Sequence, residues 1–202
     1  MMDDDKLTPD EKRALELTDK ANFERLNAFA KEFHAESDRA AVVLGAAKLD
    51  ELLGELLQRF LLPKTNHPND ADELLGVVAG VGGGSEKGLS TFSARTLASY
   101  RLGLISEQFR DSINTVRNIR NAFAHRVSPK ALNEIPFREQ IGKLHRPIPS
   151  PTFWKEFSKR HYGDETGPRI DFRTNVAVYA TILEGALMIV KPVKPQPFLM
   201  TI

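Results

Sequence analysis

The sequence predicts an all-α protein, an antiparallel helical bundle with extra C-terminal helices and a proline-rich crossing segment. Three observations carry this. Apolar residues recur at spacings of three and four through several long windows. No stretch shows the strict alternation of a half-buried strand. The apolar windows are bounded by capping residues before them and by Gly or Pro after them.

The first helix is expected over Asp19–Phe33, where Phe23, Leu26, Phe29, Ala30 and Phe33 share one face. His34-Ala35-Glu36 reads as a short connection. Ser37 then has the hydroxyl that caps a helix, and Asp38 places a carboxylate in the first turn. That second helix is expected to reach Leu61, ahead of Pro63. Its apolar set, from Val42 to Phe60, is broad enough to pack on two neighbours. Asp70–Leu75 reads as a helical turn, and Gly76–Gly88, with six glycines, as a mobile loop. Ser90 or Thr91 caps a helix over Phe92–Leu102, and Gly103 stands where a helix ends in a left-handed residue. Ser106 caps a helix over Glu107–Ala124, and Ser128-Pro129 breaks the chain after it. Residues 134–151 contain Pro136, Pro147, Pro149 and Pro151 and read as an extended crossing segment. Pro151–Tyr162 is expected to be a short helix whose Trp154 and Phe157 join the core. Asp171–Val190 is apolar on most faces, which assigns it to a core or an interface.

A chain of 202 residues accommodates one domain with a substantial core. The expected division is a flexible acidic arm over residues 1–18, one helical bundle over 19–190, and an extended proline-rich tail over 191–202. The absence of cysteine excludes disulfides, thiolate metal sites and a thiol nucleophile. Met1-Met2-Asp3-Asp4-Asp5-Lys6 lacks the apolar run of a signal peptide. The apolar run Val176–Val190 is short for a bilayer span and contains Glu184. A soluble protein of bacterial cytoplasm, without membrane contact, is the expectation. The net charge of +1 conceals an asymmetry: residues 1–100 carry 12 basic against 18 acidic side chains, and residues 101–202 carry 16 against 9. A basic half can attract nucleic acid through its phosphates, although basic side chains also simply solvate helices.

The segment richest in chemistry is Arg117-Asn118-Ile119-Arg120-Asn121-Ala122-Phe123-Ala124-His125. Arginine offers a permanently charged fork of donors that fits phosphate, and histidine exchanges protons near neutrality. On a helical wheel Ile113, Val116, Ile119 and Phe123 form the buried face. Arg110, Asn114, Arg117, Asn121 and His125 form a separate polar stripe without acids. Arg120 falls between the two, about 140° from His125 on an ideal helix. Two readings stand. One is a phosphate-binding or RNA-cleaving groove in which Arg120 and His125 come from two chains. The other is a structural network, with the arginines paired to carboxylates such as Asp38 or Glu36 and His125 at the helix C-terminus. Arg39 and the group Ser90, Ser93 and Arg95 add cations and hydroxyls at two helix starts, where anions or caps are favoured.

Other chemistries find no support. The glycine-rich stretch lacks the Gly-Lys-Ser/Thr of a P-loop. There is no His-Glu-x-x-His and no Gly-x-Ser-x-Gly, and the remaining histidines lack ligand spacing. No metal and no cofactor are expected.

Glu36-Ser37-Asp38-Arg39-Ala40-Ala41, Lys48-Leu49-Asp50-Glu51-Leu52-Leu53, Leu89 to Arg95, Tyr100 to Ile105 and Ile119 to His125 resemble the mannitol operon repressor-like family, over about residues 20–146. The resemblance implies an all-helical, multimerising regulator without its own DNA-binding motif, working with another transcription regulator or on nucleic acid. The spacing Arg120-Asn121-x-x-x-His125 also resembles the signature of the HEPN superfamily, many of whose members are metal-independent RNases. That resemblance implies a site between two protomers. His125 would act as general acid or base, Arg120 would stabilise the phosphorane, and Asn121 would orient the phosphate or the histidine. A third expectation is a small-ligand sensor built on the arginines at the helix starts.

Overall fold

The computed structural model describes residue 24 and residues 27–61, 89–124, 131–148 and 150–194. The expected N-terminal arm, the Asp70–Leu75 turn, the Gly76–Gly88 loop, Pro63, His125 and the Ser128-Pro129 break lie outside the described residues. Among those described there are helices and turns and no strand: α1 over 27–35, α2 Asp38–Phe60, α3 Phe92–Arg101, α4 Glu107–Ala124, α5 Ile135–Ile141, α6 Pro151–Tyr162 and α7 Pro168–Ile189.

The local chemistry explains most boundaries. Ser37 accepts the Ala40 N–H in its side chain at 3.2 Å and opens α2, with Asp38 in the first turn. Thr91, not Ser90, caps α3 through the Ala94 N–H at 3.1 Å. Ser106 Oγ accepts from Phe109 N–H at 3.2 Å and starts α4. Gly103 has φ 73°, the left-handed conformation that ends α3 cheaply only in glycine. The histidine connection after α1 is shorter than expected, because the helix continues through His34 and Ala35.

One expectation fails. Residues 134–151 are not an extended crossing segment: they contain α5, a series of turns over 142–147, and the first residue of α6. The prolines fit because Pro136 and Pro151 occupy first-turn positions, whose N–H groups have no intrahelical acceptor. α7 likewise begins three residues early, at Pro168.

Most of the described buried apolar residues form one cluster running from Ala30 to Leu187, with Trp154 packed against it. α2 is its axis, meeting α7 most extensively and then α4 and α3. α3 and α4 fold back on each other through a short turn, as do α6 and α7. α2 and α7 instead lie side by side in the same direction. Asp38 meets Arg173, a Cβ on Gly45 would meet Val176, Lys48 pairs with Glu184, and Arg59 donates to the carbonyl of Leu187. Residues Phe172 to Ala180 of α7 are all buried, which places it in the core. No helix among the described residues is long and apolar enough to cross a membrane.

Candidate functional site

α4 presents the polar stripe because its other face is committed. Phe109, Ile113, Val116, Ile119 and Phe123 recur at three and four residues and are buried. Arg110, Asn114, Arg117 and Asn121 of the stripe are thereby held at the edge of the core, half-buried rather than fully solvated.

Arg110 is occupied within its own helix. Its Nη2 lies 2.8 Å from Asp111 Oδ1 and 3.1 Å from Glu107 Oε1, and its Nε donates to Asp111 at 3.0 Å. The guanidinium also sits 4.3 Å over the ring of Tyr100 in α3. The hydrogen bond to Asp111 holds it protonated even more firmly than an ordinary arginine. The stripe thus lacks acids only along its own line; they reach Arg110 from the flanks. Asn114 and Arg117 are half-buried, and their side chains make no hydrogen bond or ion pair with a described residue.

Arg120 and Asn121 form a unit, Arg120 Nη1 donating to Asn121 Oδ1 at 3.0 Å. Next to them is a residue to which the sequence assigned no role. Asp50, halfway along α2, accepts from Arg95 Nη1 of α3 at 3.0 Å, and Arg120 of α4 lies close enough for its charge to be felt. Burial raises the Asp50 carboxyl above its usual range; Arg95 and then Arg120 oppose the rise. Arg95 Nε additionally donates to the Leu89 carbonyl at 2.9 Å, which ties the chain entering α3 to the helix itself. Asp50, Arg95, Arg120 and Asn121 are thus a polar node where three helices meet. Arg39 and Ser93 are exposed on the first turns of their helices, and Ser90 is exposed just before α3. The structure brings Arg95, Arg120 and Asn121 into one neighbourhood and leaves Arg39 at the other end of α2.

Asp38 does not serve the stripe. Its Oδ1 lies 3.1 Å from Arg169 Nε and 3.5 Å from Arg173 Nη1, and its Oδ2 accepts the Leu132 N–H at 3.1 Å. Arg173 is fully buried and also donates to the carbonyls of Phe33 and Glu36. Burial, reinforced by the charge of Arg169, lowers its pKa. Sequence reasoning missed both arginines. The available signal was Arg173 itself, one cation inside an apolar helix, which must have acceptors waiting for it. Among the described residues no group of three His, Asp or Glu converges as a metal site.

No protein-family model matches this chain, and no curated protein matches it. Among solved structures it is similar to a chain in the X-ray structure of the MtlR–HPr complex from Escherichia coli, with a TM-score of 0.55 at 17% identity. The match covers 83% of this chain and 98% of that one. At that identity the likeness is one of fold.

Proposed function

We propose that this chain is a regulatory protein of the mannitol operon repressor type that acts by docking on another protein and catalyses nothing. The observation that carries the reading is the fold similarity, which spans 98% of a chain from a complex of two proteins, MtlR and HPr. The sequence resemblance at α2, α3 and α4 points the same way. So does the commitment of Arg110 to Glu107 and Asp111, and of Arg95 to Asp50, since cations already paired make a poor phosphate cradle. In this reading the working unit is a homodimer in the cytoplasm, without a helix-turn-helix of its own. Weak nucleic-acid contacts would fall to the basic second half.

The test is calorimetric titration of the purified chain with an HPr protein, beside a gel shift on operator DNA. Binding to HPr at a micromolar Kd, about −8 kcal/mol, is the expected result. Absence of heat at about 100 µM, together with no DNA shift, overturns the reading.

A second reading has one specific observation behind it, the Arg120–Asn121 pair at 3.0 Å on the last turns of α4. With His125 next along the chain, these residues would form a metal-independent endoribonuclease site completed by a second protomer. Incubation of varied RNAs with the protein in EDTA decides it. Cleavage abolished by His125→Ala establishes the RNase, and no cleavage removes it.

A further inference from the structure

We propose that the pocket between His145 and Trp154 is a docking slot for an acidic segment of a partner protein that carries one apolar anchor side chain. The inference rests on the protein-binding reading above and names the chemistry of the partner.

The slot lies between the turns that follow α5 and the start of α6. His145, Ile148, Pro151, Trp154 and Lys155 line a volume of about 230 Å³. Its aromatic wall is held in place from both sides. The His145 and Trp154 rings meet edge to face, 4.9 Å between centroids and 87° between planes. The Trp154 indole N–H donates at 3.0 Å to Oδ1 of Asn175, itself fully buried in α7. A wall so fixed loses little freedom when a ligand arrives.

Size argues for an anchor side chain rather than a cofactor. Small-molecule sites span about 300–1,000 Å³, whereas 230 Å³ suits one leucine, methionine or phenylalanine. Tryptophan at the wall of such a pocket is the residue type that most often dominates a protein interface.

Charge selects the partner. Lys155 stands on the rim, Arg146 follows His145 directly, and Lys143 precedes it by two residues. All three are exposed, and none pairs with a carboxylate among the described residues. This contrasts with Arg95 and Arg110, whose charges are spent within the fold. The nearby carboxylate of Asp171 is half-buried on α7, where burial raises it above its usual range and the proximity of His145 opposes the rise. Lys155 on the rim, with Arg146 and Lys143 on the turns that carry His145, therefore offers unspent positive charge beside an apolar centre, which an acidic segment complements.

Trp154 is the only tryptophan of the chain, so its emission reports on this slot alone. The probe is the synthetic peptide acetyl-Glu-Asp-Glu-Leu-Glu-Asp-Glu-amide, with a control in which lysines replace the acids. Titration with the acidic peptide is expected to shift Trp154 emission, at least tenfold more tightly than the control. Raising salt from about 0.05 to 0.5 M is expected to weaken it by a similar factor. Lys155→Glu and Lys143→Glu, both at exposed positions, are expected to weaken it about tenfold each, with helical content unchanged by circular dichroism. No shift up to about 1 mM peptide, or equal binding of the lysine control, overturns the proposal. So does an emission change that follows the concentration of the chain alone, which would place a second copy in the slot.

Repeating the HPr titration with Lys155→Glu separates the two claims. Loss of both peptide and HPr binding supports the slot as the partner site. HPr binding that survives while the peptide stays inert overturns the slot and leaves the regulatory reading standing. Peptide binding without any HPr or DNA binding does the reverse.

Discussion

Arg173 shows how much a single residue organises here. Its guanidinium is fully buried, and its donors reach the end of α1, the Glu36 linker and the first residue of α2. Asp38 is the carboxylate that balances it, and Asp38 is shared with Arg169 and the Leu132 N–H. Removing one member of a buried pair leaves the other charged and uncompensated, which costs far more than the pair contributes. Asp38→Asn is therefore expected to destabilise the fold by about 3 kcal/mol in urea unfolding. Arg39→Ala, one residue along and exposed, should fall within about 0.5 kcal/mol of wild type. Equal effects for the two would show that Asp38 is not the counter-charge.

Among the helices, the α2–α7 contact is the most extensive. A Cβ on Gly45 would come within 2.9 Å of Val176 Cγ1 and 3.0 Å of Phe33 Cζ, so glycine is what lets α1, α2 and α7 meet. Gly45→Ala is expected to lose about 1–3 kcal/mol through overpacking. Gly185, late in α7, has nothing within 4 Å of the added Cβ. Gly185→Ala should gain about 0.5–1 kcal/mol, because alanine restricts the unfolded chain and favours the helix. Thermal melts of the two variants check both signs. The same scale explains what was legible in advance. Ser37, Thr91, Ser106 and Gly103 act within four residues of their own position, so caps and helix ends could be read directly. The prolines of 134–151 misled because proline forbids a helix interior but suits a first turn, and spacing alone does not say which position it takes.

At the scale of the whole molecule, burial leaves two carboxyls among the described residues above the usual 3.8. Asp50 is raised by burial against the pull of Arg95, and Asp171 by burial against the pull of His145. The folded state thus binds their protons more tightly than the unfolded chain. The stability they confer is complete below pH 3.8 and is lost as pH rises through the folded pKa. Asp171→Asn removes this loss. The variant is expected to melt higher than wild type at pH 7, with the difference closing toward about pH 4. A variant that melts lower at pH 7 would mean that the His145 contact outweighs burial.

The sequence by itself determined the all-α class, five of the helices to within a few residues, and the buried face of α4 as Ile113, Val116, Ile119 and Phe123. These follow from propensity, capping and the 3.6-residue period, all of which act over a turn or two. It also picked out Arg95, Arg120 and Asn121, though not what joins them. Only the tertiary structure decided that α2 and α7 run in parallel, that Asp50 sits between Arg95 and Arg120, that Asp38 belongs to Arg173 across 135 residues of chain, and that His145 and Trp154 enclose a pocket. An ion pair or a pocket wall is made when distant segments pack. Many arginines compete for each carboxylate, and the winner is set by which helix faces meet in the core, a choice that local spacing does not contain.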